Sequence, residues 1–142
     1  MKLKKLIFTL ALAVTSGGAH AGDDGLVELM GSLQYFSHKL GLSIDAGNKK
    51  LAGFYAHEVE EVIETLEEIE NYNGKPISKM VKIRLLPPFH QLEKAVKSGN
   101  TGAASGAFGD MVDACNGCHV ATAHGYIKIQ RSTTNPFMQS FE

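Results

Sequence analysis

Only two cysteines occur in the 142 residues, Cys115 and Cys118, separated by two others. A lone close pair is no framework for a small stapled fold, so a disulfide scaffold is excluded. Long apolar runs are equally scarce. The run over residues 6–14 is too short to span a bilayer, and no second one exists. There is no internal repeat, no long linker and no basic stripe of the kind that binds nucleic acid. What remains, 44% hydrophobic and 20% charged residues, is an ordinary globular composition in a length that fits one domain.

The first 21 residues stand apart. Lys2, Lys4 and Lys5 make a positive start, residues 6–14 an apolar middle, and Ala19-His20-Ala21 a small-x-small cleavage site. That order reads as a secretory signal peptide over residues 1–21, cut before Gly22. The alternative, an uncleaved amphipathic or core segment, fits those flanks poorly. The domain that follows, residues 22–142, would be exported to the periplasm without stable membrane insertion. It loses three lysines and no acid, so the formal net charge moves from −1 to −4. No nucleic-acid partner is expected of such a chain. Its size allows a core that folds without disulfides.

Hydrophobic spacing divides the mature chain into four helical stretches and a tail. In the first, over residues 24–44, Leu26, Met30, Leu33, Ser37, Leu40 and Ile44 recur at three- and four-residue steps, with Asp23 or Asp24 as cap. The second, over residues 48–70, sets Leu51, Tyr55, Val59, Val62, Leu66 and Ile69 against a row of glutamates. That row reads as a solvated face, or as a docking patch for a basic partner. Tyr72-Asn73-Gly74 breaks the chain, and Pro76 suits the first turn of a third helix. Pro87-Pro88 predicts a kink or short break within it, and Ser98-Gly99-Asn100 closes it. The fourth stretch begins near Thr101 and ends near Ala123, with Gly125 as its stop. Gly102, Gly106, Gly109 and Gly117 cost this helix about 1 kcal/mol each, which close approach of a flat ligand or of another helix would explain. Tyr126, Ile129, Phe137 and Phe141 make the tail apolar enough to lie back on the helices. Short connections then predict an all-α fold, an antiparallel four-helix bundle with an extended C-terminal tail.

The fourth stretch carries Cys115-Asn116-Gly117-Cys118-His119, a C-x-x-C-H sequence. This is the attachment signature of a c-type haem: two thiols add across two vinyl groups, and the adjacent imidazole faces the iron. Five residues alone make a weak pattern, but the export signal and the lack of any other cysteine agree with it. A thioredoxin-like C-x-x-C wants a preceding strand, and helix precedes here. Zinc would need further ligands at suitable spacing, and there is no second C-x-x-C or H-x-x-x-H. The expected cofactor is one haem c, bound through Cys115 and Cys118, with His119 on the iron.

An exported helical chain with one C-x-x-C-H near its end resembles the cytochrome c′ group, the four-helix-bundle class of c-type cytochromes. As a motif only Cys115, Cys118 and His119 match; in architecture the likeness extends over most of the mature chain. Leu29-Met30-Gly31 is similar to the part of the first helix that covers the distal haem face in that group. Where the group has an aromatic and an arginine soon after the histidine, this chain has Val120-Ala121-Thr122-Ala123, and its tail beyond Gly125 is additional. Ser37-His38-Lys39-Leu40-Gly41-Leu42, Phe54-Tyr55-Ala56-His57-Glu58 and Asn135-Pro136-Phe137 more closely resemble a family of exported bacterial monohaem proteins of uncharacterised role.

The sixth iron position separates the two functions that the resemblance implies. A ligand there makes the iron low-spin and suited to electron transfer; an open position admits small gases such as NO and CO. Met30, His38, His57, His90, Met111 and His124 are the candidates. His57 borders the acidic face, His90 follows the proline pair, and His124 sits where it meets a helix C-terminal dipole. Met111 packs most simply beside the porphyrin, and Met30 fits an ordinary core methionine. His38, between apolar neighbours on the first helix, is the expected ligand, although a structural histidine is the commoner fate. The expected role is periplasmic electron transfer to an unknown redox partner, with gas binding at a five-coordinate haem as the alternative. No enzyme is expected, since a small haem peroxidase needs a distal acid–base pair that the sequence does not offer. A homodimer is compatible with either role.

Overall fold

The computed structural model describes residues 23–142, so the expected signal peptide lies outside the described residues. The side chains of Asp23 and Asp24, and with them the expected cap, lie outside as well. Among the described residues the regular elements are helical, and the one piece of β pairing is an isolated bridge.

Helix α1 (Asp23–Asp45) buries Leu26, Leu33, Leu40 and Ile44, the stripe that its spacing predicts. Helix α2 (Lys49–Glu67) starts where the Asn48 side chain accepts the Leu51 backbone N–H at 3.1 Å. It buries Tyr55, Val59, Val62 and Leu66 and ends at Glu67 rather than Glu70. The Glu68 and Ile69 amides reach back only three residues, to Thr65 and Leu66, which tightens and closes the last turn. Tyr72 and Lys75 then exchange both backbone bonds at 2.9 Å across Asn73-Gly74. Both central residues have positive φ, 49° and 77°, as a two-residue hairpin turn demands.

The third stretch is one continuous coil in three parts: α3 (Ile77–Met80), a π-helical turn (Val81–Leu85) and α4 (Leu86–Ser98). Pro87 and Pro88 offer no N–H, and in a regular helix their rings would press on the carbonyls of Ile83 and Arg84. The chain widens just ahead of them instead, and the Leu86 N–H bonds the Val81 carbonyl. The prolines thereby fall in the first turn of α4, where a missing donor does no harm. The expected kink is therefore a π turn with no break. Gly99, at φ 75°, ends α4, and Asn100 accepts the Ala103 N–H at 2.9 Å to start α5 (Thr101–Ala121).

Helix α5 differs from its expected form in two respects. Its stop is Ala123 and not Gly125: the His124 N–H reaches the His119 carbonyl at 2.7 Å, and the Ala123 N–H reaches Val120 at 3.1 Å. That paired pattern is a Schellman cap, with Ala123 in the left-handed conformation at φ 66°. The glycines are the second difference. Gly106 and Gly109 are exposed, and a Cβ on either would meet open space, so close helix contact does not explain these two.

Helix α1 packs on α2 and α4 on α5, with further contacts between α2 and α4 and between α1 and α5. Phe89, Leu40, Leu92 and Leu66 are fully enclosed, each stabilising the fold by about 1.5–3 kcal/mol. Only part of the tail joins this core. Phe141 is buried and Phe137 half-buried, whereas Tyr126 stays 79% exposed. No helix among the described residues is long and apolar enough to cross a membrane.

Candidate functional site

Helix α5 changes character along its length. Ala104, Phe108 and Met111 are buried in the core, whereas Cys115, Cys118 and His119 are half-buried. The last three line a cavity of about 700 Å³, and Cys115 also packs against the edge of the core. Met30, Ser37 and His38 of α1 wall it on one side, Met80, Val81 and Leu85 around the π turn on another, and tail residues 127–132 on a third. Protein interiors are close-packed, and a mostly apolar hollow of this size is where a ligand sits.

Both thiols are free. Burial, helped by the neighbouring Cys118, pushes the Cys115 thiol up to about 11. Burial raises Cys118 too, although the Arg84 guanidinium works the other way. The pair also lies in the second half of α5, away from the helix N-terminus that would stabilise a thiolate. These are neutral thiols at neutral pH, unlike the activated thiolate of a disulfide-exchange motif.

His119 is fixed by the tail. Its Nδ1 lies 2.8 Å from the Ile127 carbonyl oxygen, which can only accept, so Nδ1 donates and, in the neutral imidazole, Nε2 is the nitrogen with the lone pair. A histidine that ligates a metal is oriented in this way, by donating its other nitrogen. Beside it the Asn116 side chain donates to the Ile129 carbonyl at 2.9 Å and accepts the Ile129 N–H at 2.8 Å.

The candidates for a sixth ligand separate. Met30, His38, Met111 and His124 line the cavity. His57 is instead exposed on α2, 3.6 Å from Glu60 and 3.4 Å from Glu61. His90 is exposed on α4, its ring 6.3 Å from that of Phe89. His38 donates from Nε2 to the Thr134 carbonyl at 2.9 Å, and its ring meets Phe137 edge-on at 5.2 Å. Only Nδ1 of His38 is left for other use. His124 has Nδ1 3.2 Å from the Thr122 hydroxyl.

Two wall residues, Met80 and Ser37, and one neighbour of the cysteines, Arg84, escaped sequence reasoning. Met80 shares a stripe with Ile77, Val81 and Leu85 and reads as core, yet it is half-buried against the cavity. Arg84 lies where a Cβ on Gly117 would come within 3.8 Å of its Nη1, a proximity with no local signal. Ser37, on the apolar stripe of α1, has its hydroxyl buried at the cavity wall without a hydrogen-bond partner among the described residues.

The donor set fits a haem. Two neutral thiols and a lone-pair imidazole share one wall of an apolar cavity, and a porphyrin iron needs no more protein ligands than one or two. Among the described residues no group of three or more His, Cys, Asp or Glu is placed to hold a bare metal ion. Set against protein-family models, curated proteins and solved structures, the chain matches none of the three.

Proposed function

We propose that the cavity holds one haem c, joined through Cys115 and Cys118 and ligated by His119, and that the protein is a periplasmic electron carrier. The observation that carries this reading is the His119–Ile127 bond, which leaves Nε2 as a donor to iron beside the two thiols. In this reading the helices form an antiparallel four-helix bundle, since the connections over residues 46–48, 68–76 and 99–100 are short enough to turn each stretch back along the one before. When bound, the haem supplies a one-electron couple. Cys115 and Cys118 hold its edge, His119 sets electron density at the iron, and the apolar walls exclude water. Val120, Tyr126 and Ile127, exposed at the end of α5, offer apolar surface where a redox partner would approach. His38 is the proposed sixth ligand, and ligation through Nε2 requires release of the Thr134 carbonyl.

That engagement of His38, with the unpartnered Ser37 hydroxyl on the same wall, favours a second reading: a site for small gases at an iron without a sixth protein ligand. A visible spectrum of the full chain, matured in cells with haem-attachment machinery, separates the two. Low-spin bands unmoved by carbon monoxide support the carrier, and high-spin bands that shift with it support the gas binder. A chain that emerges without covalent haem overturns both.

A further inference from the structure

The tail beyond α5 has no regular structure, yet three alternate residues of it, Ile127, Ile129 and Arg131, are each tied to a helix. The carbonyl of Ile127 accepts from His119, both backbone groups of Ile129 bond Asn116, and Arg131 reaches Ser105. His119, Asn116 and Ser105 recur at helical spacing, so they share one face of α5. Arg131 completes the far anchor: its Nη1 lies 2.8 Å from the Ser105 hydroxyl, it pairs with Asp45, and its guanidinium covers the Phe108 ring at 5.3 Å.

Asn116 occupies the middle of this row. An asparagine presents one donor group and one acceptor, and here both engage a single residue of the tail. Ile129 is thereby held as if by a neighbouring strand, and Ile127 sits two residues away. Ile127 is itself 45% exposed, so little packing holds it in place. On its other side only the turn bond from the Ile127 N–H to the His124 carbonyl, at 2.8 Å, holds it.

We propose that Asn116 is a positioning residue for His119: by clamping Ile129 it keeps the Ile127 carbonyl on the imidazole Nδ1. The proposal rests on the haem reading above. An imidazole that shares its Nδ1 proton with a carbonyl is a more basic ligand through Nε2, which favours ferric iron and lowers the reduction potential. The residue between the cysteines and the added tail therefore act together on the iron, at a distance and through hydrogen bonds alone.

The test uses the full-length, haem-loaded protein and its Asn116→Leu, Ile129→Pro and doubly substituted variants. Asn116→Leu removes both bonds at nearly constant size and charge, and Ile129→Pro removes the N–H from the other side. Two readouts are taken: the reduction potential by spectroelectrochemical titration, and the exchange rate of the His119 Nδ1 proton by NMR. Each single variant is expected to move the potential upward and to speed exchange. The double variant is expected to shift no further than Asn116→Leu alone, because Ile129→Pro removes one of the two bonds that Asn116→Leu already removes. If one variant fails to fold, the other carries the same test. A helical, haem-loaded single variant with the parent's potential and exchange rate overturns the proposal. A parent chain without covalent haem overturns the haem reading itself, and this is seen before any variant is compared.

Discussion

The Nδ1 of His119 and the carbonyl oxygen of Ile127 lie 2.8 Å apart, joining the end of α5 to the first residues of the tail. The bond engages Nδ1 as a donor, so Nε2 is the nitrogen that can serve a metal. It also makes the tail part of the site. Truncation or loosening of residues 127–131 is therefore expected to reach the imidazole as well as the surface.

The sixth position is open to direct assignment. If His38 ligates, His38→Ala turns low-spin iron high-spin and admits carbon monoxide, while Met30→Ala changes little. The exchanged result assigns Met30. Unchanged spectra in both variants, with ready uptake of carbon monoxide by the parent, assign the gas-binding role instead.

Helix α5 is expected to gain from alanine where it has glycine, and from glycine where it has alanine. Gly106 and Gly109 are exposed within the helix with room for a methyl group, so Gly106→Ala and Gly109→Ala should each stabilise by about 1 kcal/mol. Ala123 holds the left-handed position at φ 66°, so Ala123→Gly should also stabilise, by about 1 kcal/mol. Thermal melting of the three variants checks both signs. A fall in melting temperature at Ala123→Gly would contradict the Schellman cap.

Lys39 makes the tail's attachment sensitive to alkali. Its Nζ lies 4.7 Å from the Tyr35 ring, 5.4 Å from Tyr55 and 4.8 Å from Phe137, and bonds Gln139 Oε1 at 3.0 Å. The Tyr35 side chain first, then Tyr55, raises its pKa above 10.5 against the opposing effect of burial. A raised pKa in the folded state means stabilisation that is complete below 10.5 and lost as pH climbs through the folded value. Proteolytic trimming of the tail should accelerate over that alkaline range while helical circular dichroism persists. In Lys39→Met the pH dependence of trimming should disappear.

How far the sequence could be read depends on the distance over which each feature is decided. Leu26, Leu33, Leu40 and Ile44 declare α1 because helical burial is a local period. Cys115, Cys118 and His119 declare a shared wall because they are neighbours on one helix. Pro87 and Pro88 mark where the third stretch must change but not how, since a kink and a π turn both answer the same missing donors. The clamp between Asn116 and Ile129 and the bond between His38 and Thr134 form only when the tail folds back, and nothing in either residue's surroundings along the chain announces them. Met80 and Ser37 were hidden for the opposite reason. Their spacing is that of core residues, and only the hollow beside them gives them another part to play.

In the proposed function everything depends on a haem held covalently by Cys115 and Cys118. Intact-protein mass spectrometry of the chain produced with haem-attachment machinery, after denaturation and acid–acetone extraction, tests it most directly. The parent is expected to retain the added mass of one haem, and Cys115→Ser with Cys118→Ser to retain none. A parent that releases all its haem on extraction, or never carries any, would contradict it.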